Sequence, residues 1–232
     1  MHAAVGVDYA REDLVRGGFS SQCGQDRWIA EACFPDLRKG VFVDIGAHDG
    51  VTFSNTLYLE SKRQWTGIAI EPVPVTFEKL ARNRNCISIN GCIAGTSGVA
   101  KFREITGYSE MLSGLVDQYD QRHLERIARE VEFHGGSWRD VDVRKFRLNE
   151  LLGIHGLQTV NYLNIDVEGA ELEILRSIDF SIVDIQVCGV ENNYRDPRIP
   201  ALMKGAGYAP LAVVGDEMYV KLDSDVFRRL RK

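Results

Sequence analysis

The sequence predicts an α/β fold: a doubly wound, seven-stranded, mostly parallel sheet with its last strand antiparallel. Three observations carry this expectation. Short β-rich runs alternate with helical patterns along most of the chain. Those runs are continuously apolar rather than alternating, as strands covered by helices on both faces require. The last two runs are separated by Gly215 and Asp216 alone, which suits a tight hairpin. A chain of 232 residues fits one such domain, since α/β folds reach about 200–250 residues undivided.

Residues 1–40 read as a polar lead-in with one short amphipathic helix between Gln25 and Phe34, its apolar positions being Trp28, Ile29, Ala32 and Cys33. The domain proper is expected over 41–222. It opens with VFVDI (41–45), a helix near 53–62, WTGIAI (65–70), a helix near 74–83 and CISIN (86–90), a βαβαβ unit. After the Gly91, Gly95, Gly98 turn, residues 99–150 read as an insertion. It holds one clear helix, 120–131, with Leu124, Ile127, Ala128 and Val131 at helical spacing. Alternation resumes with a helix near 148–155, VNYLNI (160–165), a helix near 170–177, VDIQVCGV (183–190) and a helix near 198–206. YAPLAVV (208–214) and EMYVKL (217–222) close it. Residues 223–232 read as a basic tail.

Composition excludes several classes. With 28 Lys and Arg against 33 Asp and Glu, net charge −5, the chain lacks the basic face of a nucleic-acid binder; the terminal Arg228, Arg229, Arg231, Lys232 run reads as solvated. Five cysteines without a CxxC pair argue against a disulfide framework or zinc ribbon and for a reduced, cytoplasmic protein. No run approaches the ~20 apolar residues of a membrane span, and MHAAVGVDYARED breaks into charge before a leader could form.

The most informative segment is the loop after the first strand, Asp44-x-Gly46-x-x-x-Gly50. The glycines allow a sharp turn and close approach of a ligand, while Asp44 offers a carboxylate to a cationic group. This is not the dinucleotide pattern GxGxxG, and a carboxylate at the entrance disfavours phosphate. The loop suits an amino-acid-bearing nucleotide such as S-adenosylmethionine (SAM). Glu71, followed by Pro72 at the end of the second strand, is placed to accept two hydrogen bonds from a ribose diol. Cys92 and Ile93 fall where an adenine edge would lie. Ala47, His48, Asn55 and Ser109 complete the candidate cofactor set.

DIGAHDG with SNT (54–56), EP (71–72), ID-x-EGAELEIL (165–175) and VENN (190–193) together resemble the FkbM-type SAM-dependent methyltransferases, from about Gly40 to Tyr208. The stretch 20–26, containing SQCGQD, is similar to one branch of that family. The resemblance implies a Rossmann-like class I methyltransferase sheet, SAM as cofactor, and O-methylation of hydroxyls on sugars, glycans or polyketide-like molecules.

On the acceptor side, Asp166 and Glu168 follow the fourth strand, and Glu191 with Asn192 and Asn193 follows the fifth. Asp166, Glu191 and Asn192 form a candidate Mg²⁺ site, similar to that of catechol O-methyltransferase except that Glu191 stands where that enzyme has Asp. The alternatives are metal-free hydrogen bonding to substrate, or capping of the helix near Gly169. Asp166, Glu168 or His134 is expected to take the acceptor proton. The 99–150 insertion is expected to cap a small-molecule or oligosaccharide acceptor or to meet a second subunit in a homodimer. Rival readings are a nucleotide-dependent oxidoreductase and a non-catalytic protein of the same fold.

Overall fold

The computed structural model describes residues 4–119 and 121–231; His2, Lys232 and the first residue of the expected 120–131 helix lie outside them. In chain order the elements are β1 (Val5–Gly6), α1 (Arg11–Gly17) and α2 (Gln25–Arg27), which runs into a π-helical stretch, Trp28–Cys33. Then follow β2 (Val41–Ile45), α3 (Leu57–Arg63), β3 (Thr66–Glu71), α4 (Pro74–Asn83), β4 (Ile87–Asn90) and β5 (Cys92–Ile93). The insertion contributes β6 (Gly98–Thr106), a 3₁₀ turn (Glu110–Leu112), β7 (Gly114–Leu115), α5 (Gln121–His134) and β8 (Ser137–Phe146). The remainder is α6 (Leu148–Ile154), β9 (Thr159–Ile165), α7 (Glu171–Ser177), β10 (Asp184–Val190), α8 (Arg198–Gly205), β11 (Tyr208–Val214), β12 (Asp216–Lys221) and α9 (Asp225–Leu230).

The main sheet has the order β1-β11-β12-β10-β9-β2-β3-β4. It therefore has eight strands rather than the seven expected. The extra one, β1, is two exposed residues that pair in parallel with β11 (Val5↔Ala212), too short to register in a hydrophobic pattern. β12 runs antiparallel to both β10 and β11, as its hairpin turn predicts. Successive residues of each strand point to opposite faces. Val43, Ile45, Leu163 and Ile165 meet α6, α7 and α8 on one face. Phe42, Tyr162 and Val187 meet the α1 to π-helix segment, α3 and α9 on the other, so the lead-in is a layer of the core. Where the sequence predicts a basic tail, Ser224 caps α9 by accepting from Phe227 N; Val226 is buried while Arg228, Arg229 and Arg231 stay exposed.

The largest difference from expectation is the insertion. It forms a second sheet, β5-β8-β6-β7, around a long antiparallel β6/β8 ladder. Its strands escape a hydrophobic reading because charges sit directly opposite one another: Lys101 with Asp142 (2.8 Å), Arg103 with Asp140 (2.8 Å) and Glu104 with Arg139 (2.6 Å). α5 covers one face through Ile127, which packs on Ile105 and Leu112. Among the described residues no helix is long and apolar enough to cross a membrane.

Candidate active site

The strand order reverses between β2 and β9, and their carboxyl ends open onto a cavity of about 430 Å³. Its floor is built from strand-end backbone. Gly46 N and Ala47 N donate to Ile70 O (3.1 and 3.0 Å), Asp166 N to Ile45 O (3.1 Å) and Glu191 N to Ile165 O (3.0 Å), which draws four strand ends together. Gly46 has φ 88°, and a Cβ there would lie 1.7 Å from Asp166 O, so only glycine admits this approach.

On the β2–β3 side, nearly every polar group has a local partner. Asp44 is buried; its oxygens accept from Thr56 Oγ1 (2.6 Å) and Asn164 Nδ2 (3.0 Å). Burial raises its carboxyl above the ordinary range, against the charge of Arg84. The Arg84 side chain is fully buried and donates to Glu60 Oε2 (2.7 Å), Gly50 O (3.3 Å), Ser54 Oγ (3.3 Å) and Thr56 Oγ1 (3.0 Å), bracing the loop from beneath. Glu71 accepts from His48 N (3.1 Å) and Val73 N (2.8 Å), yet burial pushes its carboxyl up to about 7. Asn55 donates to Asn164 Oδ1 (3.1 Å). Among the described residues, Asn55 Oδ1 and His48 Nδ1 are buried without a hydrogen-bond partner. His48 Nε2 lies 3.4 Å from Glu110 Oε1, tying this loop to the insertion.

The β9–β10 side is different. Asp166, Glu168 and Glu191 all line the cavity. Burial and then the charge of Asp166 raise Glu168 to about 8; burial and then Glu168 raise Glu191 to about 8; burial and then Glu191 raise Asp166. Glu168 is held at φ 58°, with Oε2 3.7 Å from His123 Nδ1 and 3.6 Å from Arg126 Nη1, both on α5. Neither Asp166 nor Glu168 caps α7. Glu171 Oε1 instead accepts from Gly169 N (2.9 Å) and Val167 N (3.4 Å), which accounts for the second acid of the EGAE stretch.

Of the residues expected at the site, Asp44, Gly46, Ala47, His48, Asn55, Glu71, Pro72, Cys92, Ile93, Asp166, Glu168 and Glu191 line the cavity. Four expectations are corrected. Gly50 lies beneath the loop, where a Cβ would meet Leu80 and Arg84 at 2.7 Å. Ser109 Oγ turns away to donate to Glu130 Oε2 (3.1 Å). His134 is exposed at the end of α5, stacked on Tyr108 with ring centroids 4.0 Å apart, and does not reach the cavity. Asn192 is a turn-former: its Oδ1 accepts from Asp196 N (2.7 Å) and its Nδ2 donates to Asp196 O and Glu217 Oε1. The donor set proposed for Mg²⁺ therefore does not fit, and among the described residues no three His, Cys, Asp or Glu side chains form a group able to hold a metal ion.

Sequence reasoning missed Arg84 and Asn164, which brace the loop, and His123, which is buried behind Glu168. It also missed Gln22 and Gln25 of the lead-in, and Phe102, Ile105 and Leu115 of the insertion wall, all of which line the cavity. A buried arginine 40 positions after Asp44 has no local signature; the SQCGQD resemblance was the one signal that could have pointed to the glutamines.

The family model for the FkbM methyltransferase domain matches residues 44–210, more than half of the chain. "Methyltransferase 1" of Beauveria bassiana (strain ARSEF 2860) is 28% identical over 206 residues, covering 79% of this chain and 77% of its own. "Methyltransferase sdnD" of Sordaria araneosa is 29% identical over 194 residues, covering 72% of each. A solved structure titled "delta-N METTL16 MTase domain" gives a TM-score of 0.39 at 13% identity, covering 84% of this chain and 77% of that one.

Proposed function

This chain belongs to the FkbM methyltransferase family, and from that premise we propose that it is a SAM-dependent O-methyltransferase acting on a hydroxyl of a sugar, glycan or polyketide-like small molecule. The observation that carries the reading is the division of one cavity into a locally braced half and a carboxylate-rich half at the reversal of strand order. The residues fit the cofactor. Glu71, with both oxygens facing backbone N–H groups, retains lone pairs for a ribose diol. Cys92 and Ile93 form an apolar wall for adenine. Gly46 keeps the turn close enough for backbone contact. Asn55 Oδ1 is an unused acceptor for the amino group, and Asn164 links the Asn55 amide to the Asp44 carboxyl. When bound, SAM supplies an electrophilic methyl on a sulfonium sulfur.

The protein must align the acceptor oxygen with that methyl and remove a proton. Asp166 or Glu168 takes the proton as the new oxygen–carbon bond forms and the sulfonium–methyl bond breaks; burial raises both carboxyls, so each is a stronger base than an ordinary carboxylate once its own proton has left. The β6–β7 wall and Met111 of the insertion cover the acceptor and exclude water. We assign no step to a metal.

Isothermal calorimetry with S-adenosylhomocysteine (SAH) tests the reading. Saturable binding is expected for SAH and not for NAD, with Glu71→Gln weakening SAH by about tenfold or more through the lost charge-assisted hydrogen bonds. An SAH titration without heat would refute it.

A further inference from the structure

The SQCGQD turn supplies none of the residues assigned above to the cofactor, yet it is built to face the same cavity. Asp26 is fully buried and organises it, accepting from Ser20 N (2.7 Å), Ser21 N (3.3 Å), Ser21 Oγ (2.5 Å) and Arg27 N (2.8 Å). Ser21 Oγ in turn accepts from Gly24 N (3.1 Å). Gly24 sits at φ 92°, with Tyr9 packed 2.3 Å from where a Cβ would be, so the turn closes only with glycine there. The result is that Gln22 and Gln25 line the cavity. Gln25 is 5% exposed; its Oε1 accepts from Cys23 N (3.0 Å) and its Nε2 donates to Asp216 Oδ2 (2.9 Å). A carboxamide has two N–H groups and two oxygen lone pairs, so one of each is left over.

The turn lies at the far end of the cavity from Glu71. Asp216 starts β12, and from β3 to β12 the sheet runs through β2, β9 and β10, four strand spacings or roughly 19 Å. At that end the lining acids are Asp166 and Glu191, on which the charge of Asp216 acts. A neutral hydroxyl satisfies this mixture, because it donates to a carboxylate while accepting from an amide N–H. An anion has no hydrogen to donate to the carboxyl oxygens, and an ammonium has no lone pair for the amide N–H groups. We propose that the SQCGQD turn is the acceptor-recognition element, in which Gln22 and Gln25 hold hydroxyls of a neutral polyol next to Asp166 and Glu191. The proposal rests on the methyltransferase reading and names the residues that select its acceptor.

The test uses ¹⁵N-labelled full-length protein saturated with SAH, observing the side-chain amides of Gln22 and Gln25. The probes are methyl α-glucopyranoside, methyl α-mannopyranoside and myo-inositol, with tetramethylammonium and acetate as charged comparisons. Saturable shifts of both amides are expected with at least one polyol and with neither ion. Gln22→Ala and Gln25→Leu should melt cooperatively and bind SAH within about twofold of wild type, yet bind that polyol about tenfold more weakly. Gln22 is exposed, so its variant tests the idea even if Gln25→Leu, which strips a partner from buried Asp216, proves unstable. No polyol shift, or equal polyol affinity in the variants, overturns the assignment; loss of SAH binding by wild type overturns instead the reading on which it rests.

Discussion

The two halves of the cavity use the same chemical group, the carboxylate, in opposite ways. On the β2–β3 side, Asp44 and Glu71 are met by backbone N–H, hydroxyl and amide donors, and Arg84 lies beneath them. On the β9–β10 side, Asp166, Glu168 and Glu191 crowd one another with few donors, and their carboxyls rise together. The first half is pre-organised to receive a ligand that does not vary. The second stores unpaired acceptor capacity, which a hydroxyl-bearing molecule or a proton can occupy.

The largest effect that would break this comparison lies beneath the braced half. Arg84→Ala leaves Glu60 and the Asp44–Thr56 pair without their buried cation and should cost about 3–5 kcal/mol in urea unfolding. A cost under about 1 kcal/mol would mean that the loop is not braced as described.

An intermediate effect concerns pH. Glu168 and Glu191 move from an ordinary 4.5 to about 8 in the fold, so the folded chain holds protons that the unfolded chain has released. Their contribution is present at low pH and is lost as pH rises through that window. The melting temperature of the ligand-free protein should therefore fall between about pH 5 and 8 and level off above, and Glu168→Gln should flatten the fall. Glu71, raised to about 7, adds to the same fall, so Glu71→Gln should also flatten it in part; a slope unchanged by Glu168→Gln would mean that the β9–β10 carboxyls do not crowd one another as described.

The smallest effect sharpens the acceptor half by subtraction. His134→Ala removes an exposed ring stacked on Tyr108 and should alter stability by no more than about 0.5 kcal/mol, with SAH affinity unchanged. His123→Ala, at a buried position behind Glu168, should cost measurably more in the same denaturation experiment.

How much of this was legible follows the same division. Asp44, Gly46 and Glu71 were found because each sits at a strand end within a short motif whose spacing states its own geometry. Asp166, Glu168 and Glu191 were found as strand-end acids, but their mutual crowding was not. Asn192 adjoins Glu191 in sequence and so looks like a ligand, whereas the chain turns there and spends its amide on Asp196 and Glu217. The insertion was legible as a break in alternation and as one helix. Its strands were hidden because charged pairs across a ladder look, one strand at a time, like polar loop.

By itself the sequence determined the strand and helix periods, the central sheet and the glycine turn, all of which depend on residues a few positions apart. The tertiary structure alone decided which side chains converge. His123 and His134 lie on one helix eleven residues apart, close to the same angular position but separated by roughly 16 Å of helix. Periodicity cannot tell them apart. α5 crosses the site so that its first turns meet Glu168 while its last overhangs solvent, and that crossing is set by packing of Ile127 on Ile105 and Leu112, contacts between segments that no local pattern connects.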